Sequence, residues 1–219
     1  MVTDIDGSIT DAARRISLEA VSALRSLEAQ GIMVMLASGN VLPIAYGLAS
    51  FIGTTGPVIA ENGGIIYHKR EVKILGSRKR CDEAFEELRR HLPVKKIFSD
   101  RWREAEVAIE PDVDLQKVRN LISPFGLLVE STGFALHIFE PSMGKFNGLV
   151  AACEMVGITT EEVAAFGDSE NDLRLIADCG VGLVPSNARA MLKSEADFVA
   201  ESPDGKGLVE ALRWLGLLR

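Results

Sequence analysis

Short apolar runs and longer amphipathic stretches alternate along most of the chain. Residues 32–37, 57–60, 163–166 and 181–184 are apolar without interruption, which predicts strands buried on both faces. Between the first strands, Ile16, Ala20, Ala23, Leu24 and Leu27 recur at helical spacing, and Gly31 is placed to end that helix. Residues 146–156 repeat the pattern through Leu149, Val150 and Cys153 and stop at Gly157, and Leu208, Val209, Leu212 and Leu215 mark a closing amphipathic helix. This alternation predicts an α/β fold around a parallel sheet.

The middle of the chain departs from that rhythm. A helical stretch at 82–92 precedes a strand at 107–110 with little apolar face, and a second helix at 115–123 leads into strands at 127–130 and 134–139. Residues 131–133 carry the turn signal of a hairpin between the last two. Helices and antiparallel strands in this order predict a small α+β insert over 68–141, with 1–67 plus 142–219 forming the core.

Charge sharpens the division. The 219 residues carry 31 acids and 24 bases, a formal charge of −7. The insert holds 14 bases and 13 acids, so the acidic excess belongs to the core, while residues 68–103 alone hold 12 bases and 6 acids. That basic half either faces a substrate or is solvated helix surface. An acidic chain lacks the clustered cations that nucleic acid or an anionic membrane surface needs, so neither is an expected partner. No apolar run approaches the ~18 residues of a membrane span. Asp4 and Asp6 stand where a signal peptide would begin, and the three cysteines, Cys81, Cys153 and Cys179, are too scattered for a disulfide framework. A cytoplasmic location is the expectation.

Candidate chemistry gathers at the ends of the predicted core strands. Asp4 and Asp6, followed by Gly7, leave the same face at the end of the first strand, where open α/β sheets bind ligands. Gly167-Asp168 follows another strand, and Asp172 lies one helical turn on, so both carboxylates turn toward one point. These acids serve either as helix caps or as hard oxygen ligands for Mg²⁺. Ser38-Gly39 ends a third strand, where a hydroxyl beside backbone amides suits phosphate oxygens or a plain helix cap. Lys145 opens a helix against its dipole, so it either takes an anionic partner or is a solvated surface lysine. His68, His91 and His137 have no metal-ligand spacing, and Cys153 falls on an apolar helix face.

Asp4-x-Asp6-Gly7, Ser38-Gly39, Lys145 and Gly167-Asp168-(x3)-Asp172 resemble, in order and spacing, the four motifs of the haloacid dehalogenase superfamily phosphatases. The insert between the second and third motifs, together with Glu61-Asn62-Gly63-Gly64 before it, is similar to the Cof-type branch with its α/β cap. The Arg101-Trp102-Arg103-Glu104-Ala105 stretch looks most like archaeal phosphoglycolate phosphatases. Only three residues precede Asp4, fewer than such proteins usually carry, which implies a short first strand or a start placed late.

The resemblance implies a Rossmann-like core with a specificity cap and a Mg²⁺-dependent phosphomonoesterase, with 2-phosphoglycolate as substrate. Asp4 would be the nucleophile and Asp6 the general acid and base. Asp4, the Asp6 carbonyl, Asp168 and Asp172 would hold the metal, and Ser38, Gly39, Lys145 and Asn171 would bind substrate. Arg101 and Arg103 are the candidates for a substrate carboxylate, a role suited to the planar guanidinium fork. Alternatively, Trp102 packs internally and the arginines are solvated. The expected partner is a small phosphate ester, with a homodimer as a further expectation. A sugar-phosphate phosphatase or mutase of the same branch shares the motifs. A phospho-aspartate receiver also uses Asp, Mg²⁺ and Lys, but lacks both the cap-sized insert and the paired Asp4 and Asp6.

Overall fold

The computed structural model describes residues 1–132 and 134–218. The first strand, β1, is Val2–Asp4. It pairs residue by residue with β2 (Met35–Ala37), from Val2 opposite Met35 to Asp4 opposite Ala37. β2 is therefore shorter than the apolar run at 32–37, because its neighbour offers only three residues. The helix between them, α1 (Leu18–Ala29), is capped by the Ser17 hydroxyl, which accepts from the Ala20 amide at 3.2 Å. Ala20, Ala23, Leu24 and Leu27 make its buried face, and Gly31 leaves it with φ +81°.

The chain continues through α2 (Leu42–Ile52), β3 (Val58–Ala60), β4 (Ile65–His68) and β5 (Glu71–Ile74). Then come α3 (Arg78–His91), β6 (Val107–Ile109), α4 (Leu115–Ile122), β7 (Leu128–Ser131) and β8 (Leu136–Phe139). The last part is α5 (Lys145–Val156), β9 (Ala164–Phe166), α6 (Leu173–Asp178), β10 (Val181–Val184), α7 (Ala190–Lys193), β11 (Phe198–Val199) and α8 (Asp204–Trp214).

Among the described residues, eight strands form one sheet in the order β11-β10-β9-β1-β2-β3-β4-β5. The first six are parallel and the last two antiparallel. Leu24, Leu27, Ile52, Leu208 and Leu212 bring α1, α2 and α8 onto one face with Leu36 and Phe166. Leu149, Cys153, Leu175 and Leu192 bring α5, α6 and α7 onto the other with Met35 and Ile59. Alternate residues of β2 thus feed opposite layers, as a strand covered on both sides requires. Because β9, β1 and β2 are neighbours, the loops after them meet at one edge, the carboxyl edge.

The boundary drawn at residue 68 falls inside a hairpin of the large sheet. β5 pairs with β4 from Ile65 opposite Ile74 to His68 opposite Glu71, so residues 68–74 belong to the large sheet. The bond from the Leu75 amide to the Gly64 carbonyl closes this hairpin at 2.8 Å. Beyond it, β6-β8-β7 form a three-stranded antiparallel sheet. Cys81, Phe85 and Leu88 of α3 and Val118 and Ile122 of α4 cover it, against Val107, Ile109 and Ile138. The strand read as poor in apolar surface is wholly enclosed, since Ala108 is buried between its larger neighbours. Gly133, in the predicted 131–133 turn, and Arg219 lie outside the described residues. No helix among the described residues is long and apolar enough to cross a membrane.

On either side of the cap, two core segments meet in an unusually close backbone contact. Gly63 has φ +84°, and a Cβ built there would lie 2.1 Å from the Gly144 carbonyl oxygen. This contact seats the first turn of α5, the turn that carries Lys145. Gly63→Ala therefore combines a disfavoured backbone conformation with a clash that no side-chain rotation relieves. A loss of about 2 kcal/mol or more in chemical denaturation is expected.

Candidate active site

Asp4, at the end of β1, is 3% exposed, Lys145 2% and Asp172 fully buried. Lys145 Nζ donates to Asp4 Oδ1 at 2.6 Å and to Asp172 Oδ1 at 2.7 Å. The anionic partners demanded by a lysine at a helix N-terminus are thus two carboxylates from different loops. Burial opposes the charged ammonium, but Asp172 and Asp4 outweigh it and hold the Lys145 pKa above its ordinary value.

Carboxylate oxygens of Asp4, Asp168 and Asp172 lie within 4.8 Å of one another. Burial first, and then Asp172 and Asp168 against the pull of Lys145, raise Asp4 well above the ordinary carboxylate range. Asp168 is pushed up to about 6, by burial and then by Asp172. Three carboxylates facing one ammonium leave two negative charges, the charge of one divalent cation. Asp4 Oδ2 is also buried without a hydrogen-bond partner. Both features fit a hard cation held by oxygen ligands. Gly7 makes the grouping possible, because with φ +84° a Cβ there would stand 2.5 Å from Asp168 Oδ2.

Asp172 also caps its own loop. Its Oδ2 accepts from the backbone amides of Asp168 and Ser169 at 3.2 and 3.1 Å, while its Oδ1 serves Lys145. Capping and charge grouping, two separate readings in the sequence, coincide in one side chain. Asp6 stands apart from the carboxylate group: its Oδ2 accepts from Asn40 Nδ2 at 2.6 Å and its Oδ1 from Arg14 Nε at 2.9 Å.

After β2, the Ser38 hydroxyl accepts from the Asn40 amide and from Asn40 Nδ2, at 3.0 and 3.1 Å. Both lone pairs are taken, so its proton is left to donate. Ser38 is no helix cap, because α2 starts at Leu42 after Val41. A cavity of about 290 Å³ joins Asp4, Asp6, Gly39, Lys145, Asp168 and Asn171. A larger concavity of about 760 Å³ between α1 and α8 gathers none of these groups.

Comparison with known proteins agrees with this geometry. The family model for haloacid dehalogenase-like hydrolases matches residues 1–99 and 80–212. The chain belongs to the haloacid dehalogenase-like hydrolases. A phosphoglycolate phosphatase of Methanothermobacter thermautotrophicus is 40% identical over 213 residues, covering 97% of this chain and 96% of that protein. One from Archaeoglobus fulgidus is 39% identical over 222 residues, covering 100% and 97%. A crystal structure of a Thermoplasma acidophilum protein, 30% identical, superposes with a TM-score of 0.94 over 99% of this chain and 97% of that one.

In this hydrolase the cap arginines are placed differently from expectation. Arg101 lies on the outer surface, over the rings of Phe98 and Trp102, with centroids 4.7 and 5.5 Å away. Trp102 is 46% exposed, so it does not pack internally. Arg103 is fully enclosed: Nη1 donates to the Gly39 carbonyl at 3.0 Å and pairs with Glu106. It braces the second motif and does not border the cavity. Other cations of the basic half pair within the cap, Arg78 with Asp100 and Asp82, Lys96 with Asp82, and Arg80 with Glu140.

Several side chains at this seam, some from the Glu61-Asn62 motif and others such as Glu106 without any sequence signal, meet in one network. Glu106 is buried and accepts from Asn62 Nδ2 at 3.0 Å, with His137 Nδ1 2.8 Å away. Asn62 Oδ1 in turn accepts from Asn171 Nδ2 at 3.1 Å, and His137 Nε2 lies 2.9 Å from the Thr132 hydroxyl. His137, given little weight as an isolated histidine, thus belongs to a buried chain linking the cap to the catalytic loops. Glu61 receives the amides of Glu104 and Ala105 and is pushed up to about 7, chiefly by burial.

The raised Asp168 pKa fixes the sign of a metal and pH linkage. An ordinary aspartate ionises near 3.8 and this one near about 6, so between these values the metal-free fold holds the extra proton and loses stability as pH rises. A cation binds the ionised form and reverses that loss. The melting-temperature gain on adding Mg²⁺ should therefore grow between about pH 4 and pH 7. Asp168→Asn should abolish most of the gain.

Proposed function

We propose that this hydrolase cleaves small phosphate monoesters through an aspartyl-phosphate intermediate, converting 2-phosphoglycolate to glycolate and phosphate. Asp4 carries the reading: a buried carboxylate at the end of the central strand, held at Oδ1 by Lys145 and unpartnered at Oδ2. The names of relatives about 40% identical over nearly the whole chain support the substrate. A cavity of about 290 Å³ suits a small ester better than a disaccharide phosphate.

Asp4 attacks phosphorus and forms the acyl phosphate as the bond to the alcohol oxygen breaks. Asp6 gives that oxygen a proton, then takes one from the water that opens the intermediate, which restores Asp4 and releases phosphate. Lys145 keeps Asp4 oriented, and Ser38, with its hydroxyl proton free, donates to a phosphoryl oxygen. Asp4, Asp168 and Asp172, with the Asp6 carbonyl, fit Mg²⁺, which when bound supplies the positive charge that lets a dianionic phosphate approach.

Asp4→Asn should lower kcat by about 10⁴-fold or more, without loss of cooperative folding. The deciding measurement is kcat/KM, with and without Mg²⁺, on 2-phosphoglycolate, glucose 6-phosphate and p-nitrophenyl phosphate. Preference for 2-phosphoglycolate and loss of turnover in EDTA are expected. Preference for the hexose ester would move the assignment to a sugar phosphatase, and release from none would overturn it.

A further inference from the structure

One arginine joins the reacting edge of the core to the cap. Arg14 lies in the loop after β1. Its Nε donates to Asp6 Oδ1 at 2.9 Å, and its Nη2 reaches Asn40 Oδ1 at 3.4 Å. The same guanidinium lies over the ring of Phe134, 4.9 Å from its centroid. Phe134 belongs to the cap connection between β7 and β8 and borders the cavity.

The loop is shaped to aim this side chain. Arg14 has φ +60°, a conformation ordinary residues rarely adopt. The bond from its amide to the Asp11 carbonyl, 2.8 Å long, holds it there. The Asp11 carboxylate takes the amides of Ala13 and Arg15, each at 2.9 Å. The Arg14 side chain is 53% exposed, which leaves it room to pivot.

The chemistry of the substrate gives this placement a use, on the reading of Asp6 as the proton donor to the alcohol oxygen. In a phosphorylated 2-hydroxy acid, a single carbon separates that oxygen from a carboxylate. Bringing the oxygen to Asp6 therefore brings a second carboxylate beside it, and the two repel unless a cation stands between. Arg103 keeps Nε and Nη2 unpartnered, but its side chain is fully enclosed, with Nη1 on Gly39 and Glu106, and it does not border the cavity. Arg189 also borders the cavity, but its amide is on the Asp168 carbonyl at 3.0 Å and its side chain makes no ion pair with Asp6. Arg14 is the cation that touches Asp6.

The geometry points to Arg14 as the residue that selects phosphate esters with a carboxylate next to the leaving oxygen. The substrate carboxylate exchanges with Asp6 as partner of the guanidinium. A substrate without the carboxylate leaves Asp6 tied to Arg14.

The assignment rests on the phosphatase reading above, and its test separates the two. In the Asp4→Asn chain with Mg²⁺, calorimetry compares 2-phosphoglycolate with 2-hydroxyethyl phosphate, which has a hydroxymethyl group in place of the carboxylate. The ratio of affinities should favour 2-phosphoglycolate and fall about a hundredfold on adding Arg14→Ala, with part of it restored by Arg14→Lys. The same collapse should appear in the kcat/KM ratio of the chain with Asp4 intact. An unchanged ratio in Arg14→Ala, or equal binding of both esters before substitution, would overturn the assignment. Absence of turnover on every ester would instead overturn the phosphatase reading, while the binding ratio still decides the role of Arg14.

Discussion

The carboxyl edge of the sheet depends on one buried ammonium. Asp4, Asp168 and Asp172 converge where little water can separate them, and three carboxylates so placed would drive their loops apart. Lys145 binds two of them from the first turn of α5, through bonds that span 141 and 27 residues of sequence. The position of α5 is set in turn by the contact between Gly63 and Gly144. Removing either partner of such a buried pair costs far more than the pair itself contributes, so the arrangement works as a unit.

The core was legible because its signals are local. A strand followed at once by Asp4, or by Gly167-Asp168, announces both the element and the edge where it ends, and the observed strand order brings those edges together. Boundaries were less legible. A boundary at residue 68 cuts through the hairpin of β4 and β5, which the pairing of Ile65 with Ile74 assigns whole to the large sheet. Strand lengths were limited by their partners, which no single segment reveals.

The seam between cap and core was the least legible part. Arg103 reads as a solvent or substrate residue because most arginines are one or the other, yet Glu106 and the Gly39 carbonyl enclose it. His137 faces Glu106 only because β8 pairs with β6 and places residue 137 opposite Ala108, two positions beyond Glu106. Glu61 and Asn62, both at positive φ, hold Glu104, Ala105 and Glu106 from the core side. Apart from the Arg103–Glu106 pair, three residues apart, these polar contacts join distant parts of the chain, and periodicity carries no trace of them.

The bond from Arg103 to Gly39 also runs through the chemistry. The Gly39 carbonyl and the Asn40 amide belong to one planar peptide unit. At one end the cap guanidinium draws on the oxygen; at the other the N–H donates to the Ser38 hydroxyl. Charge in the cap thereby polarises, across a single amide, the Ser38 hydroxyl proposed to meet the phosphoryl oxygens. The cap is consequently no interchangeable lid. Another insert grafted onto this core would have to bring its own cation to the same carbonyl, or inherit a less acidic serine.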